Sequence, residues 1–241
     1  MDRARPATNA TRFSLAIAAG AWFLASLGAL PIQAIAQGLL GHSGEKSEQW
    51  PTSFTIVSLF CLWMPMLAAV IIVSRRWGGS SFIDDFKLRF RIGDLWGLPI
   101  GVACQLALVP AVYWPLQRIW SGTFSGEKVE QRAQDLWDKA DGAWAVGLFL
   151  MVAIGAPLIE ELMYRGLVLQ ALQSRLQNYL ALVISAAFFA AIHLQPVEFP
   201  GLFAFALLLG YGFQRSGRLS LSILMHIGFN ATALIGLALA S

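Results

Sequence analysis

Residues 143–174 read AWAVGLFLMVAIGAPLIEELMYRGLVLQALQS, and the fold turns on how that stretch is understood. It is apolar for longer than the roughly 20 residues a helix needs to cross a hydrocarbon core, yet it holds Glu160, Glu161 and Arg165 near its middle. Outward from it, apolar stretches recur at 13–37, 54–74, 95–116, 179–194, 199–214 and 219–240, with polar gaps between them. The expectation is an all-α, polytopic transmembrane helical bundle of about seven spans. The fifth and sixth are short for complete crossings.

Composition supports the same class. Of 241 residues, 57% are hydrophobic and 13% charged, where soluble domains carry about 25% charged. A net charge of +3 does not point to nucleic acid, because no basic run with interleaved aromatics exists and the basic residues flank apolar segments. Those residues act as topology signals instead. Arg3, Arg5, Arg12, Arg75, Arg76, Lys87, Arg89, Arg91, Arg175, Arg215 and Arg218 fall on one side, and Lys46, Arg118, Lys128, Arg132 and Lys139 on the other. Eleven against five places the N-terminus in the cytoplasm of a multi-pass cell-membrane protein.

The apolar run from Phe13 is too long for a signal-peptide core and lacks a small-residue cleavage site, so it is read as a retained first span. Cys61 and Cys104 each sit inside an apolar segment, as small buried hydrophobes rather than a disulfide or metal pair. Trp50, Trp77, Trp114, Trp120 and Trp144 lie near span ends, where amphipathic rings favour the headgroup layer.

Two connections have character of their own. From Ser80 to Gly93, Phe86, Leu88, Phe90 and Ile92 alternate with Lys87, Arg89 and Arg91, the pattern of a strip lying at the membrane surface. From Glu127 to Asp141, Val129, Ala133, Leu136 and Ala140 recur at helical spacing, predicting a short amphipathic helix on the outer face. It is read as a solvated connector, with a lid as the alternative. The chain thus divides into N-terminal spans and connector, 1–142, and a four-span core, 143–241.

Ionisable groups at bilayer depth cost several kcal/mol on most scales, so they face a cavity, find partners and carry function. Adjacent glutamates diverge by about 100° around a helix and serve different roles. Glu161 and Arg165 stand four apart, acid first, the favourable order for an ion pair on one face. Glu160 has no base at helical spacing and is the candidate general base. The next span ends FFAAIHLQP, with Phe189 one turn before His193, and the last contains LMHIGFN, with His226 and Asn230 on one face. Counted from turns near Gln177 and Gly217, these groups reach overlapping depths.

Simple packing explains one such residue at a time, as an interhelical hydrogen bond worth roughly 0.6–2 kcal/mol, but not four at one level. A desolvated carboxylate can take a proton from water, a neighbouring imidazole can share that water or protonate a leaving amine, and imidazole and amide N–H groups can stabilise an oxyanion. Glu160, His193 and His226 also match the ligand types of catalytic zinc, although no HExxH is present and Asn is a poor zinc ligand. No cofactor is firmly expected, and zinc stays open at this point.

These residues resemble the CPBP family of intramembrane proteases, which includes CAAX prenyl endopeptidases and bacteriocin-processing or immunity proteins. The family pattern EExxxR, FxxxH and HxxxN is present as Glu160, Glu161 and Arg165, then Phe189 and His193, then His226 and Asn230. The resemblance covers 143–241. It implies a helical membrane protease in which Glu160 and His193 activate water and His226 with Asn230 forms the oxyanion site. Glu161, Arg165 and Phe189 would support them. The partners implied are the bilayer and a membrane-associated peptide or protein substrate. Two alternatives are a catalytically silent peptide-binding or immunity scaffold of the same fold, and a proton-coupled transporter.

Overall fold

A computed structural model describes residues 13–79, 81–140 and 142–240. Arg3, Arg5 and Arg12, part of the topology argument, lie outside the described residues, as do Ser80 and Asp141 at the ends of the two connections.

Five helices are long and apolar enough to cross a membrane: α1 (Leu15–Leu39), α2 (Thr52–Trp77), α3 (Ile92–Ile119), α5 (Gly142–Gln173) and α8 (Leu219–Ala240). Between them come α4 (Gly126–Trp137), α6 (Asn178–Ala191) and α7 (Phe199–Ser216), and the described residues form no strand. The protein is an all-α membrane bundle. All seven expected apolar segments are helical, but α6, with 14 residues, is below spanning length.

The lipid-facing character is visible on α1. It buries the small residues Ala18, Ala25 and Ala29 and exposes Phe23, Leu24, Leu27, Leu30 and Ile35. Small side chains let neighbouring backbones approach, whereas large apolar ones are at no disadvantage against lipid. Pro31 in α1 and Pro65 in α2 are accommodated within their helices, as is common inside membranes. Cys61 and Cys104 are buried free thiols.

Three stretches wind as π-helix: Cys104–Leu108 in α3, and Met151–Gly155 and Leu162–Leu169 in α5. Such turns are rare and concentrate at functional sites. Two of the three flank Glu160 and Glu161.

Two expectations need correction. The 80–93 strip is not simply a surface feature, because Phe86 is fully buried against Phe13 and Phe82, their ring centroids 5.5 and 4.8 Å away. Gly166 makes room for it, since a Cβ there would come within 2.7 Å of the Phe86 ring. Phe90 and Ile92 do remain exposed. The fifth segment ends before His193, at Ala191, and His193 sits in the following turn. Pro196 explains the stop: it disfavours helical geometry at Gln195 and donates no N–H. Leu194 takes a left-handed φ of 55° in that turn.

The amphipathic helix α4 forms as expected. Its Ala133 and Trp137 pack on Ala153 of α5 and on Leu234 and Leu237 of α8, so its apolar face covers the bundle rather than water.

The start of α8 is held in place by polar contacts. Arg218 Nε donates to both Asp94 carboxylate oxygens at 3.0 Å, the one Ser220 hydroxyl hydrogen is shared between Asp94 Oδ2 and Arg89 O, and Leu219 N donates to Lys87 O. Asp94 beside it raises the pKa of the Arg218 guanidinium further. Farther along, α3 and α8 touch backbone to backbone. A Cβ at Gly97 would come within 2.7 Å of Leu221 O, and one at Gly101 would run into the Met225 carbonyl oxygen. Gly101→Val is therefore expected to destabilise the detergent-solubilised protein by about 3 kcal/mol, read as a lowered thermal midpoint. An unchanged midpoint would show that this contact is not tight in the membrane protein.

Candidate active site

The cluster forms where α5, the α6–α7 region and α8 meet. On α5, Glu161 and Arg165 are both buried, and Arg165 Nη1 donates to Glu161 Oε1 at 2.7 Å. Arg165 also donates through Nη2 to Ala206 O of α7 at 3.2 Å, and its guanidinium lies 4.5 Å from the centre of the Phe189 ring. The expected ion pair thus links three helices.

The same Glu161 oxygen lies 3.0 Å from His226 Nδ1. A carboxylate facing a guanidinium only accepts, so Nδ1 carries the proton and donates. That leaves His226 Nε2 as the presented nitrogen, 3.8 Å from Glu160 Oε2. Glu160 is partly exposed, its side chain 22% accessible, whereas the His226 side chain is 5% accessible. One glutamate is therefore locked into the protein and orients the imidazole, while its neighbour faces the other side of that ring. The second Glu161 oxygen, Oε2, is buried without a hydrogen-bond partner among the described residues. Ser222, one turn before His226, donates to Leu219 O and lies beside Glu161.

His193 is brought close but not into direct contact. Its Nδ1 lies 2.7 Å from Phe189 O, and a carbonyl only accepts, so Nδ1 bears the proton and Nε2 keeps its lone pair. The Phe189 ring stands beside both imidazoles, 4.8 Å from His193 and 6.0 Å from His226 between centroids. No hydrogen bond joins His193 to Glu160, His226 or Asn230 among the described residues. Asn230 Nδ2 donates to Val152 O at 2.8 Å, tying α8 to the first π-helical stretch of α5. One amide hydrogen of Asn230 is left over.

Three wall residues escaped the reading of the sequence. Phe205 of α7 sets its ring edge-on to His226, 5.4 Å between centroids. Tyr164, one turn after Glu160, is buried, packs edge-on to Phe189 and accepts a hydrogen bond from Trp22 Nε1 of α1 at 3.2 Å. Nothing in their local sequence distinguishes these aromatics from other core residues; the only available signal is that Tyr164 shares a helical face with Glu160. Through Trp22 the first span reaches the wall of the site.

The donor set does not fit a zinc ion as it stands. Glu160 and His226 face each other, but no group of three His, Cys, Asp or Glu side chains among the described residues is disposed to hold a metal. His193 Nδ1 is held by the Phe189 carbonyl, so only Nε2 is open to a ligand.

Fold and cluster together define a helical membrane protein with an acid–imidazole centre buried between its spans. Residues 142–232 match the family described as Type II CAAX prenyl endopeptidase Rce1-like, a stretch that contains Glu160, Glu161, Arg165, Phe189, His193, His226 and Asn230. Over that stretch the chain is similar to this family. No curated protein and no solved structure matches it.

Proposed function

We propose that this chain is an intramembrane endopeptidase that hydrolyses a peptide bond of a membrane-associated protein or peptide. Residues 143–241 serve as its catalytic core, and the N-terminal spans and α4 support it. In this reading it resides in the cell membrane with its N-terminus in the cytoplasm. The observation that carries the proposal is the contiguous series Arg165, Glu161, His226, Glu160. One carboxylate is neutralised by an arginine, and the other faces an oriented imidazole across 3.8 Å. That gap is too wide for a direct hydrogen bond and suits a third polar atom between the two.

In this mechanism Glu160 takes a proton from water as the water oxygen bonds to the carbonyl carbon. His193, with its Nε2 lone pair free, shares that water and relays the proton to the departing amine when the C–N bond breaks. The remaining Asn230 amide hydrogen donates to the carbonyl oxygen as it becomes negative, and His226 joins it through Nε2–H when its ring carries a second proton. Glu161 sets the His226 ring orientation and Arg165 keeps Glu161 ionised.

Comparing membrane peptides from cells carrying the wild type or Glu160→Gln identifies the substrate, as the peptides that accumulate uncut in the variant. A silent peptide-binding scaffold predicts identical peptide sets. Zinc held by Glu160, His193 and His226 is the competing chemistry, and it requires these three side chains to converge on one ion. The metal-free mechanism predicts that chelator dialysis leaves turnover in liposomes unchanged and that metal analysis finds no stoichiometric zinc. Activity lost to chelator and restored by zinc alone would move the chemistry to the metal.

A further inference from the structure

A groove of about 350 Å³ opens between α3, α7 and α8, lined by none of the acid–imidazole residues. On α7, Leu208, Tyr211, Gly212 and Arg215 recur at helical spacing along its wall, opposite Ile100, Leu221 and Met225. Gly212 gives the groove its depth, because a Cβ there would already sit 3.1 Å from Met225 Sδ. The walls are apolar except at one end, where Arg215 and Ser216 stand.

Arg215 is exposed, and no hydrogen bond or ion pair ties it to the described residues. Arg218, three residues later, is by contrast fully engaged with Asp94. The last turn of α7 belongs to the side that the distribution of Lys and Arg assigns to the cytoplasm, the leaflet face richest in anionic lipid.

We propose that this groove binds an anionic phospholipid, with an acyl chain along Leu208, Gly212 and Met225 and the headgroup phosphate on Arg215. A guanidinium matches phosphate geometry with paired donors, and its stem can lie along apolar surface while the charge reaches the headgroups. The volume lies near the lower end of small-ligand sites, about 300–1,000 Å³. A transmembrane helix of a substrate, about 10 Å across, needs more room than this groove gives. The inference goes beyond the proteolytic reading and does not rest on it.

Native mass spectrometry of the whole protein in detergent, with phosphatidylglycerol or phosphatidylcholine of equal chain length, tests it. One phosphatidylglycerol should be retained over phosphatidylcholine by about fivefold, which is what a single basic residue near an anionic headgroup supplies. Arg215→Gln and Gly212→Leu should each remove that preference, Arg215→Lys should keep most of it, and Arg75→Gln, on another exposed arginine, should leave it intact. Glycerol phosphate alone should not be retained. Preference persisting in Arg215→Gln, equal loss in Arg75→Gln, or retention of glycerol phosphate alone each overturns the proposal. So does a Gly212→Leu variant that keeps its lipid but no longer cleaves substrate, which would assign the groove to the substrate instead.

Discussion

Glu160→Gln is expected to lower peptide cleavage by about 10²- to 10⁴-fold, the usual scale for removing a general base, while leaving thermal unfolding in detergent unchanged. The stability half follows from the side chain's surroundings. Glu160 is partly exposed, and its polar neighbour His226 lies beyond hydrogen-bond distance, so an amide of equal shape removes no structural contact. The activity half follows from chemistry, because an amide cannot accept the proton from water. Turnover in liposomes alongside a melting curve checks both, and full retained turnover would refute the assignment of Glu160.

Glu161→Gln is expected to do the opposite to stability. Arg165 is 1% exposed and Glu161 wholly buried, so the variant leaves a guanidinium without its counter-charge in a low-dielectric interior. Breaking a buried pair in this way costs about 3–5 kcal/mol. The His226 Nδ1 donor also loses its carboxylate, and with it the restraint on ring orientation. Lost fold and lost chemistry are separable with the double variant Glu161→Leu, Arg165→Met. Replacing a buried pair by apolar residues of similar volume is often neutral or stabilising. The double variant should therefore regain most of the thermal midpoint and stay inactive. Recovered cleavage in it would show that Glu161 supports the fold alone.

Hydropathy alone located the helices, because lipid demands apolar side chains over a fixed length, and the i, i+4 spacing of Glu161 and Arg165 foretold their 2.7 Å contact. The turn at Gly217, with its left-handed φ of 66°, was equally legible, since glycine adopts that conformation without strain. What escaped were relationships between helices. That His226 lies between two glutamates depends on how α8 is rotated against α5, and the glycine contacts of α3 with α8 help to set that rotation from 120 residues away or more. The role of Phe86 was hidden because alternation fixes which residues share a face, not what covers it. The position of His193 outside α6 could have been read from Pro196, whose effect on its predecessor is local.

The π-helical stretch Leu162–Leu169 also shapes how this gene can change. A π turn holds one residue more than the α turn it replaces, so the segment behaves like a fixed insertion. Deleting a single residue there would let α5 relax to regular winding and turn everything upstream by about 100°. Glu160 would then leave the imidazole it faces, although every side chain of the cluster were still encoded. Length in this stretch is therefore constrained as well as identity, and related sequences should differ here by substitution and not by gaps.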